Sequence, residues 1–395
     1  MTDSDFDFVG QLHRALDAAP PYALPAVVSA VLAEAVGAKD VHLLLADYGE
    51  VTLERVSSDA ASDATGSIPI DGSAAGEAFL TQDPVEEDDG GGLRLYLPIT
   101  VRAERLGVLD VLLPETPSAR LREELQRAAI VIGYVIGTAR RYTDLFERVR
   151  RRRDLILAAE IQWELLPVLA YEADEVSVAG ALEPAYAIAG DSFDYAVEAD
   201  HLHVAITDGM GHGLRAALLG SLAVAALRHA RRRGRDVLAQ VKEASQVVHD
   251  QFGGDQFVTG TVASLDVRSG RMRAVNAGHP QPWLARAADG VTALDLYADY
   301  PLGLFPGVDY REQIVPLEPG DRLLLVSDGV IEAAAPDGAE FGNERLADLI
   351  AATGAQAPVE VVRQITRAVL DHRQVPLRDD ATVVCLDWRP RHRQR

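Results

Sequence analysis

The residues best suited to catalysis or metal binding lie where an apolar run ends in an acid followed by glycine. Residues 204–206 are apolar and lead through one threonine into Asp208 and Gly209. An Ala/Leu-rich segment then begins at Leu214, so the pattern predicts a strand, a tight loop and a helix. The Asp208 carboxylate and the Gly209 carbonyl are oxygen ligands that suit a hard cation, although Asp-Gly is equally typical of an ordinary turn.

Three further carboxylate clusters stand at the predicted ends of apolar strands. They are Asp191 with Asp194, Asp328 after the run 323–326, and Asp379 with Asp380 before the run 381–386. Like charges that crowd together need a partner of opposite charge. Because carboxylates, backbone carbonyls and water are the ligands of hard cations, a pair of divalent cations is the natural partner.

These clusters and the motif Asn276-Ala277-Gly278-His279-Pro280 occur in an order that resembles the metal-dependent Ser/Thr protein phosphatases of the PPM family. The resemblance is specifically to their bacterial SpoIIE/RsbU-type branch, and it extends over residues 163–388. The stretch 159–162, followed by Leu165-Leu166-Pro167, also looks like the linker segment that precedes the catalytic domain in that branch. The order of the motifs makes the resemblance specific, because each motif is weak by itself.

The resemblance implies a role for each acidic position. Asp208 would bridge two metal ions, while Asp191 and the Gly209 carbonyl would complete the first site. Asp328 and Asp379 would hold the second ion. The expected catalytic residues are therefore Asp208, Asp191, Asp328 and Asp379, with two Mn²⁺ or Mg²⁺ ions as cofactors. A metal-bridging hydroxide would attack the phosphorus of a phosphoserine or phosphothreonine.

Neighbouring polar residues are expected in supporting roles. Asp194 and Asp380 would stand behind the metal ligands without binding the ions. Thr207 and Ser327 would orient the adjacent carboxylates through hydrogen bonds.

Two histidines near these motifs leave alternatives open. His212 follows the metal loop closely enough to be a general acid, but a turn histidine that faces solvent is the simpler interpretation. His279 either braces its loop or takes part in catalysis.

Two other functions fit parts of the pattern. An aspartyl-phosphate phosphatase requires Asp-x-Asp after a strand, whereas Asp191 and Asp194 have the wrong spacing and Met210 stands where a second acid would follow Asp208. The alternative from a different class is a catalytically inactive phosphatase-like scaffold that senses a ligand and binds partner proteins. Every matched acid is present, which favours the enzyme.

Composition limits the partners and the compartment. The 38 basic and 60 acidic residues of this 395-residue chain give a formal net charge of -22, which disfavours nucleic acid or an anionic membrane as a partner. The single cysteine, Cys385, lies in an apolar run and excludes an internal disulfide. Apolar stretches fall short of the ~18 residues of a membrane span, and the acidic start lacks a signal pattern. These features predict a soluble, cytoplasmic protein.

Residues 1–140 are expected to form a sensory domain. Helical spacing over 8–36, broken at Pro20-Pro21, is followed by strand patterns at 41–45, 51–56, 93–100 and 106–112. The acidic, glycine-rich stretch 83–92 indicates a solvated loop. This layout resembles a GAF domain, which would bind an unknown small ligand or, alternatively, serve only for dimerisation.

Residues 141–168 are expected to form a helical linker. Apolar residues recur there at alternating spacings of three and four, as in the a/d seam of a coiled coil. The seam positions are Tyr142, Leu145, Val149, Arg152, Ile156, Ala159, Trp163 and Leu166. Pro167 ends the helix. The pattern predicts a homodimer through which the sensory domain signals to the catalytic domain.

Residues 169–390 are expected to form the phosphatase domain, followed by a frayed tail at 391–395. Strand runs and helix pairs that do not alternate one by one indicate an α+β fold of two sheets with helices outside. The resemblance implies an αββα sandwich. It also implies that the substrate is a small phosphorylated anti-sigma-factor antagonist.

Overall fold

The computed structural model describes residues 8–57, 66–152, 154–183, 190–373 and 380–390. Its contacts divide the chain into two compact units, with the boundary between Asp154 and Leu155. Within the described ranges, no helix is both long and apolar enough to cross a lipid bilayer.

The N-terminal unit consists of helices around one antiparallel sheet. Its helices are α1 (Phe8–Ala18), α2 (Leu24–Val36), α3 (Ala74–Thr81), α4 (Ala119–Ala139) and α5 (Leu145–Val149), with a 3₁₀ turn at Pro21–Ala23. Its strands are β1 (Asp40–Ala46), β2 (Thr52–Arg55), β3 (Ile68–Pro69), β4 (Val85–Asp88), β5 (Leu93–Val101) and β6 (Glu104–Leu113). They form a six-stranded sheet in the order β3-β2-β1-β6-β5-β4.

Alternating side chains along the strands cover the two faces of this sheet, because successive residues of a strand point to opposite sides. Leu43 and Leu45 pack with α1, α2 and α4 in one core, whereas Leu44 and Ala46 pack with Phe79 of α3 in another. The predicted pair of short helices over residues 8–36 and the predicted strands are confirmed.

The acidic stretch 83–92 is not entirely a loop. Residues 85–88 form β4, which pairs with β5 at the edge of the sheet. Charged side chains are common on edge strands because one side of the strand stays in contact with water. The acidic composition therefore predicted a loop where the structure contains a short edge strand.

The continuous linker helix expected over residues 141–168 is not what the structure contains. The helix α4 ends at Ala139, α5 is short, and α6 (Leu157–Leu165) is a new helix of the C-terminal unit. Leu145 and Phe146 are buried in the N-terminal core, and the Arg150 guanidinium donates from Nε to the Ala46 carbonyl at 3.0 Å. A short isolated helix is only marginally stable in water. The contacts of Leu145, Phe146 and Arg150 with the N-terminal unit therefore outweigh the helical propensity of the linker.

The C-terminal unit contains α6 and two sheets with helices outside. Its remaining helices are α7 (Leu214–Arg232), α8 (Val237–Phe252), α9 (Asp328–Ile331), α10 (Gly342–Ala352) and α11 (Pro358–Arg373). Its strands are β7 (Ala170–Glu172), β8 (Val176–Glu183), β9 (Asp191–Val197), β10 (His201–Gly209), β11 (Val258–Asp266), β12 (Arg271–Ala277), β13 (Trp283–Arg286), β14 (Gly290–Ala293), β15 (Gln313–Pro316), β16 (Arg322–Val326) and β17 (Ala381–Trp388).

The two sheets of this unit are stacked through one apolar core. A five-stranded sheet has the order β15-β12-β11-β10-β9, and a six-stranded sheet has the order β14-β13-β16-β17-β8-β7. Phe193 and Ile206 of the first sheet pack with Leu325 and Val384 of the second. Helices α7 and α8 cover the outer face of the first sheet, and α11 lies on β8 and β17 of the second. The predicted arrangement of two sheets with helices outside is confirmed.

Close packing between the sheets makes Gly180 of β8 sensitive to substitution. A Cβ at this position would lie 2.5 Å from Cζ of the buried Phe193 ring. We expect Gly180→Ala to lower the free energy of unfolding of this unit by ~1–3 kcal/mol, because a full core does not accept an added methyl group. Urea denaturation followed by tryptophan fluorescence measures this unit, since Trp163, Trp283 and Trp388 all belong to it.

The matched control is Gly137→Ala in α4, where an added Cβ would meet no atom within 4 Å. This change should leave the tryptophan transition in place, because Gly137 belongs to the other unit. A Gly180→Ala protein with the wild-type midpoint would contradict the packing described between the sheets.

Candidate metal centre

Two of the predicted acidic ligands face each other across neighbouring strands. In the antiparallel register of β9 and β10, Asp191 lies directly opposite Asp208. Directly opposed residues have Cβ atoms about 4.5–5.5 Å apart and point to the same face of the sheet. Phe193 and Ile206, one alternation further along, belong to the core between the two sheets. Both carboxylates therefore lie on the inner face, at the end of the sheet.

A glycine next to Asp191 leaves space around the ligand oxygens. The Gly209 amide donates to the Gly190 carbonyl at 2.9 Å. A Cβ on Gly190 would lie 3.0 Å from the Gly209 carbonyl oxygen and 3.4 Å from Oδ1 of Asp208. A larger residue at position 190 would thus fill the space beside the two oxygens, which are the kind of donors that a hard cation takes.

The second sheet brings further acids to the same end of the stack. Asp328 lies two residues after the end of β16 and begins α9. A Cβ on Gly329 would lie only 1.8 Å from the Asp380 carbonyl oxygen, so only glycine permits this close approach. The Asp380 carboxylate in turn accepts a hydrogen bond from the Asp191 amide at 3.2 Å. Asp380 therefore links the Asp328 turn of one sheet to Asp191 of the other.

Asp191 is an unfavourable charge in the absence of a cation. The residue is 2% exposed, and its Oδ2 atom has no hydrogen-bond partner of normal geometry among the described residues. Burial raises the pKa of the Asp191 carboxyl well above its usual range, and the charges of Asp208 and Asp380 raise it further. A divalent cation beside Asp191 and Asp208 would offset both effects.

The structure places several of the predicted site residues at the same end of the stacked sheets. Asp191, Asp208 and the Gly209 carbonyl lie at the end of the first sheet, and Asp328 lies two residues after the end of β16 in the second. Asp208 and Asp328 are partly accessible, as metal ligands facing a substrate would need to be. Asp379 lies outside the described residues. Within those residues, no three His, Cys, Asp or Glu side chains are placed to hold one ion by themselves.

Asp194 does not support the metal ligands as expected. It lies an odd number of residues from Asp191, so its side chain points to the opposite face of β9, toward α7. There it is buried and forms ion pairs with Arg228 and Arg231 at 2.8 and 2.7 Å. Asp194 is thus part of the contact between the sheet and α7.

The expected hydroxyl partners are also placed differently. Thr207 donates to the Ser192 carbonyl at 3.4 Å, away from the Asp208 carboxylate. The Ser327 hydroxyl accepts from the Thr382 amide at 2.9 Å and donates to the Asp380 carbonyl at 3.4 Å. His212 is exposed, which agrees with a turn residue that faces solvent.

Gln162 of α6 contacts the acidic site although it belongs to none of the acidic motifs of the sequence. It is 3% exposed, and its Nε2 atom donates to the Asp191 carbonyl at 2.6 Å and to the Asp380 carboxylate at 2.9 Å. The only sequence signal was its place in the stretch 159–162, which was assigned to the linker. The contact could not be foreseen because Asp380 lies 218 residues further along the chain.

Comparison with known proteins identifies the C-terminal unit. Residues 198–389 match the family model described as Stage II sporulation protein E (SpoIIE). This unit carries a SpoIIE-type phosphatase domain. The match includes Asp208 and Asp328 but begins after Asp191, which the strand register nevertheless places beside Asp208.

Relatives and solved structures agree with this assignment. The chain is 25% identical to the phosphoserine phosphatase RsbU of Bacillus subtilis over 71% of its own length and 83% of that protein. It is 27% identical to RsbP of the same species, over 48% of this chain and 47% of RsbP. The SiaA-PP2C domain of Pseudomonas aeruginosa superposes with a TM-score of 0.50 at 24% identity, covering 58% of this chain and 94% of that one. The SpoIIE-type domain therefore has the PP2C fold.

The metal-ligand role of Asp191 can be tested through stability. For the wild-type SpoIIE-type domain, Mn²⁺ at 100 times its Kd should add about 2.7 kcal/mol of stability, because only the folded state offers the site. For a unit of this size that corresponds to roughly 5–10 °C in Tm. Asp191→Asn should remove most of this increase and raise the Tm of the metal-free protein, since it eliminates the buried charge beside Asp208 and Asp380.

Calorimetry of the full chain with and without Mn²⁺ measures both effects. Asp289→Asn, at an exposed position of the same unit, is the control and should respond to Mn²⁺ as the wild type does. Equal Mn²⁺-induced shifts in wild type and Asp191→Asn would exclude Asp191 as a ligand.

Proposed function

We propose that this chain is a Mn²⁺- or Mg²⁺-dependent protein serine/threonine phosphatase. The observation that carries the proposal is the pair formed by the buried Asp191 and the partly exposed Asp208, opposed across two strands, with Asp328 and Asp380 at the same end of the stacked sheets. Two divalent ions held there would activate water and neutralise phosphoryl charge. RsbU and RsbP, with which the chain aligns, are named phosphoserine phosphatases, which supports the same activity.

Each acid has a distinct part in this proposal. Asp208 would bridge the two ions, and Asp191 with the Gly209 carbonyl would complete the first site. Asp328 and Asp379 would hold the second ion. The half-exposed Asp208 and Asp328 leave an open side for a phosphorylated side chain, while the buried Asp191 holds the first ion from the interior.

We further infer that the substrate is a small phosphorylated anti-sigma-factor antagonist. The basis is the resemblance to the SpoIIE/RsbU-type branch, whose members act on such proteins. The site opens at the ends of the sheets, where Asp208 and Asp328 are partly exposed. A phosphoserine on the surface of a folded protein could therefore reach these acids.

Removing the charge of a bridging or terminal ligand should abolish turnover. We expect Asp208→Asn and Asp328→Asn to lower kcat/KM on a phosphoserine peptide by more than about 100-fold. Mutation of a residue that only orients metal ligands already lowers metal affinity or activity by about 10- to 100-fold. Asp289→Asn should retain wild-type activity, and a chelator should remove activity reversibly. A metal titration with a generic phosphate ester separates this enzyme from an inactive scaffold, which would bind partners but release no phosphate at any Mn²⁺ concentration.

We also propose that the N-terminal unit is a GAF-like sensor that regulates the phosphatase through a dimeric linker. In the structure, Glu147 of α5 accepts hydrogen bonds from Tyr48 and Arg140. Arg150 stacks on the Tyr48 ring at 4.6 Å and binds the Ala46 carbonyl. These contacts hold the start of the linker against the sheet of the N-terminal unit.

Release of these contacts would let the linker form the seam that its sequence predicts. Tyr142, Ile156 and Leu157 are 75, 46 and 63% exposed, so these three apolar residues lack the cover that a dimer would supply. A ligand that binds the released state of the sensor better would shift the population toward it.

Ile156→Glu tests this coupling. The side chain is 46% exposed, so the substitution should leave each unit folded while it disrupts a paired seam. We expect sedimentation velocity to show a dimeric wild type and a monomeric variant with an altered kcat. Val168→Glu, equally exposed at 52% but beyond Pro167, should remain dimeric. A monomeric wild type, or a monomeric variant with unchanged kcat and Mn²⁺ requirement, would argue against regulation through the linker.

A further inference from the structure

His279 is a buried side chain with a fixed orientation at the metal end of the C-terminal unit. It is 5% exposed and follows Gly278, whose φ of +72° allows the chain to turn sharply after β12. The Asn276 side chain forms two hydrogen bonds with the backbone of His279. Its Nδ2 atom donates to the His279 carbonyl at 2.9 Å, and its Oδ1 atom accepts from the His279 amide at 2.8 Å.

One nitrogen of this ring contacts the first sheet beside Asp208. The Nδ1 atom of His279 lies 3.0 Å from the Thr259 hydroxyl. In the register of β10 and β11, Thr259 is directly opposite Asp208, and Asp208 is directly opposite Asp191 on its other side. Directly opposed side chains share a face. Asp191, Asp208 and Thr259 thus form one row across three strands, and the His279 ring contacts Thr259 at the end of that row.

The other ring nitrogen, Nε2, is buried without a hydrogen-bond partner of normal geometry among the described residues. The ring also lies near the backbone of Val326, the last residue of β16 before Ser327 and Asp328, which favours the protonated form of His279. Burial lowers the pKa of His279 to about 3, so the ring is neutral at physiological pH. We assign the single proton of the neutral ring to Nε2, so that Nδ1 accepts the hydrogen of the Thr259 hydroxyl.

We propose that Thr259 and His279 are a positioning pair that sets Asp208 of the first sheet relative to Asp328 of the second. This inference rests on the proposed function, because it assumes that the two carboxylates serve one metal centre. The ring spans the two sheets where both metal-binding turns begin. Because Thr259 is the direct cross-strand neighbour of Asp208, fixing its side chain limits the positions that the Asp208 carboxylate can take. Neither residue contacts substrate.

A threonine on the same strand provides a matched comparison. Thr261 lies one alternation further along β11, on the same face, and is 1% exposed. Its hydroxyl has no hydrogen-bond partner among the described residues. Thr259→Val and Thr261→Val therefore remove the same atom from the same strand, but only the first removes a hydrogen bond to His279.

The test is Mn²⁺ affinity, measured by isothermal titration calorimetry on the full chain. We expect Thr259→Val to weaken Mn²⁺ binding by about 10-fold, as is usual when a group that orients metal ligands is lost. Thr259→Ser keeps the hydroxyl and should bind like the wild type, and Thr261→Val should do the same. His279→Asn, whose amide can take the place of Nδ1, should bind Mn²⁺ more tightly than His279→Ala.

Each contrary outcome has a separate meaning. Wild-type affinity in Thr259→Val, or an equal loss in Thr261→Val, overturns the positioning pair and leaves the phosphatase proposal standing. A wild type that binds no Mn²⁺ overturns the proposed function and with it this inference. An independent readout is the ¹⁵N spectrum of His279, which should show a protonated Nε2 and an unprotonated Nδ1 at pH 7. The opposite tautomer would overturn the assigned hydrogen-bond direction.

Discussion

The crowding of carboxylates at one end of two stacked sheets is the constraint on which the rest of the C-terminal unit depends. Asp191 is buried, and the nearby charges of Asp208 and Asp380 disfavour its ionised form. The fold nevertheless holds these acids together by backbone geometry, through the register of β9 with β10 and the hydrogen bond from the Asp191 amide to Asp380. Such an arrangement lowers stability without a cation, and stability given up for function is characteristic of active sites.

Glycine makes this crowding sterically possible at two places. Gly190 leaves room beside the Gly209 carbonyl and the Asp208 carboxylate, and Gly329 admits the Asp380 backbone to a distance that no side chain would permit. Gly190 immediately precedes β9 of the first sheet, and Gly329 lies in α9, just after β16 of the second. They allow the Asp191–Asp208 edge and the Asp328 turn to approach each other through Asp380.

The helical layer is connected to the same acids. Gln162 of α6 donates to Asp191 and Asp380, and Arg228 of α7 donates to both the Asp194 carboxylate and the Leu165 carbonyl at the end of α6. A displacement of α6 would therefore act on the backbone of Asp191 directly. The segment before α6 carries a seam pattern that the structure does not use, because Leu145 and Phe146 are buried in the N-terminal core instead.

The sequence by itself determined the chemistry and the type of most elements. Alternating apolar runs that end in acids predicted the strands carrying Asp191, Asp208 and Asp328, because strand periodicity and Asp-Gly turns are local properties. Only the tertiary structure decided that Asp194 faces arginines, that the linker is interrupted, and that Gln162 and His279 lie among the acids. Those contacts join residues far apart in the chain, as with Gln162 and Asp380 or Thr259 and His279. Their geometry follows from how two sheets and a helix layer stack, which no local pattern specifies.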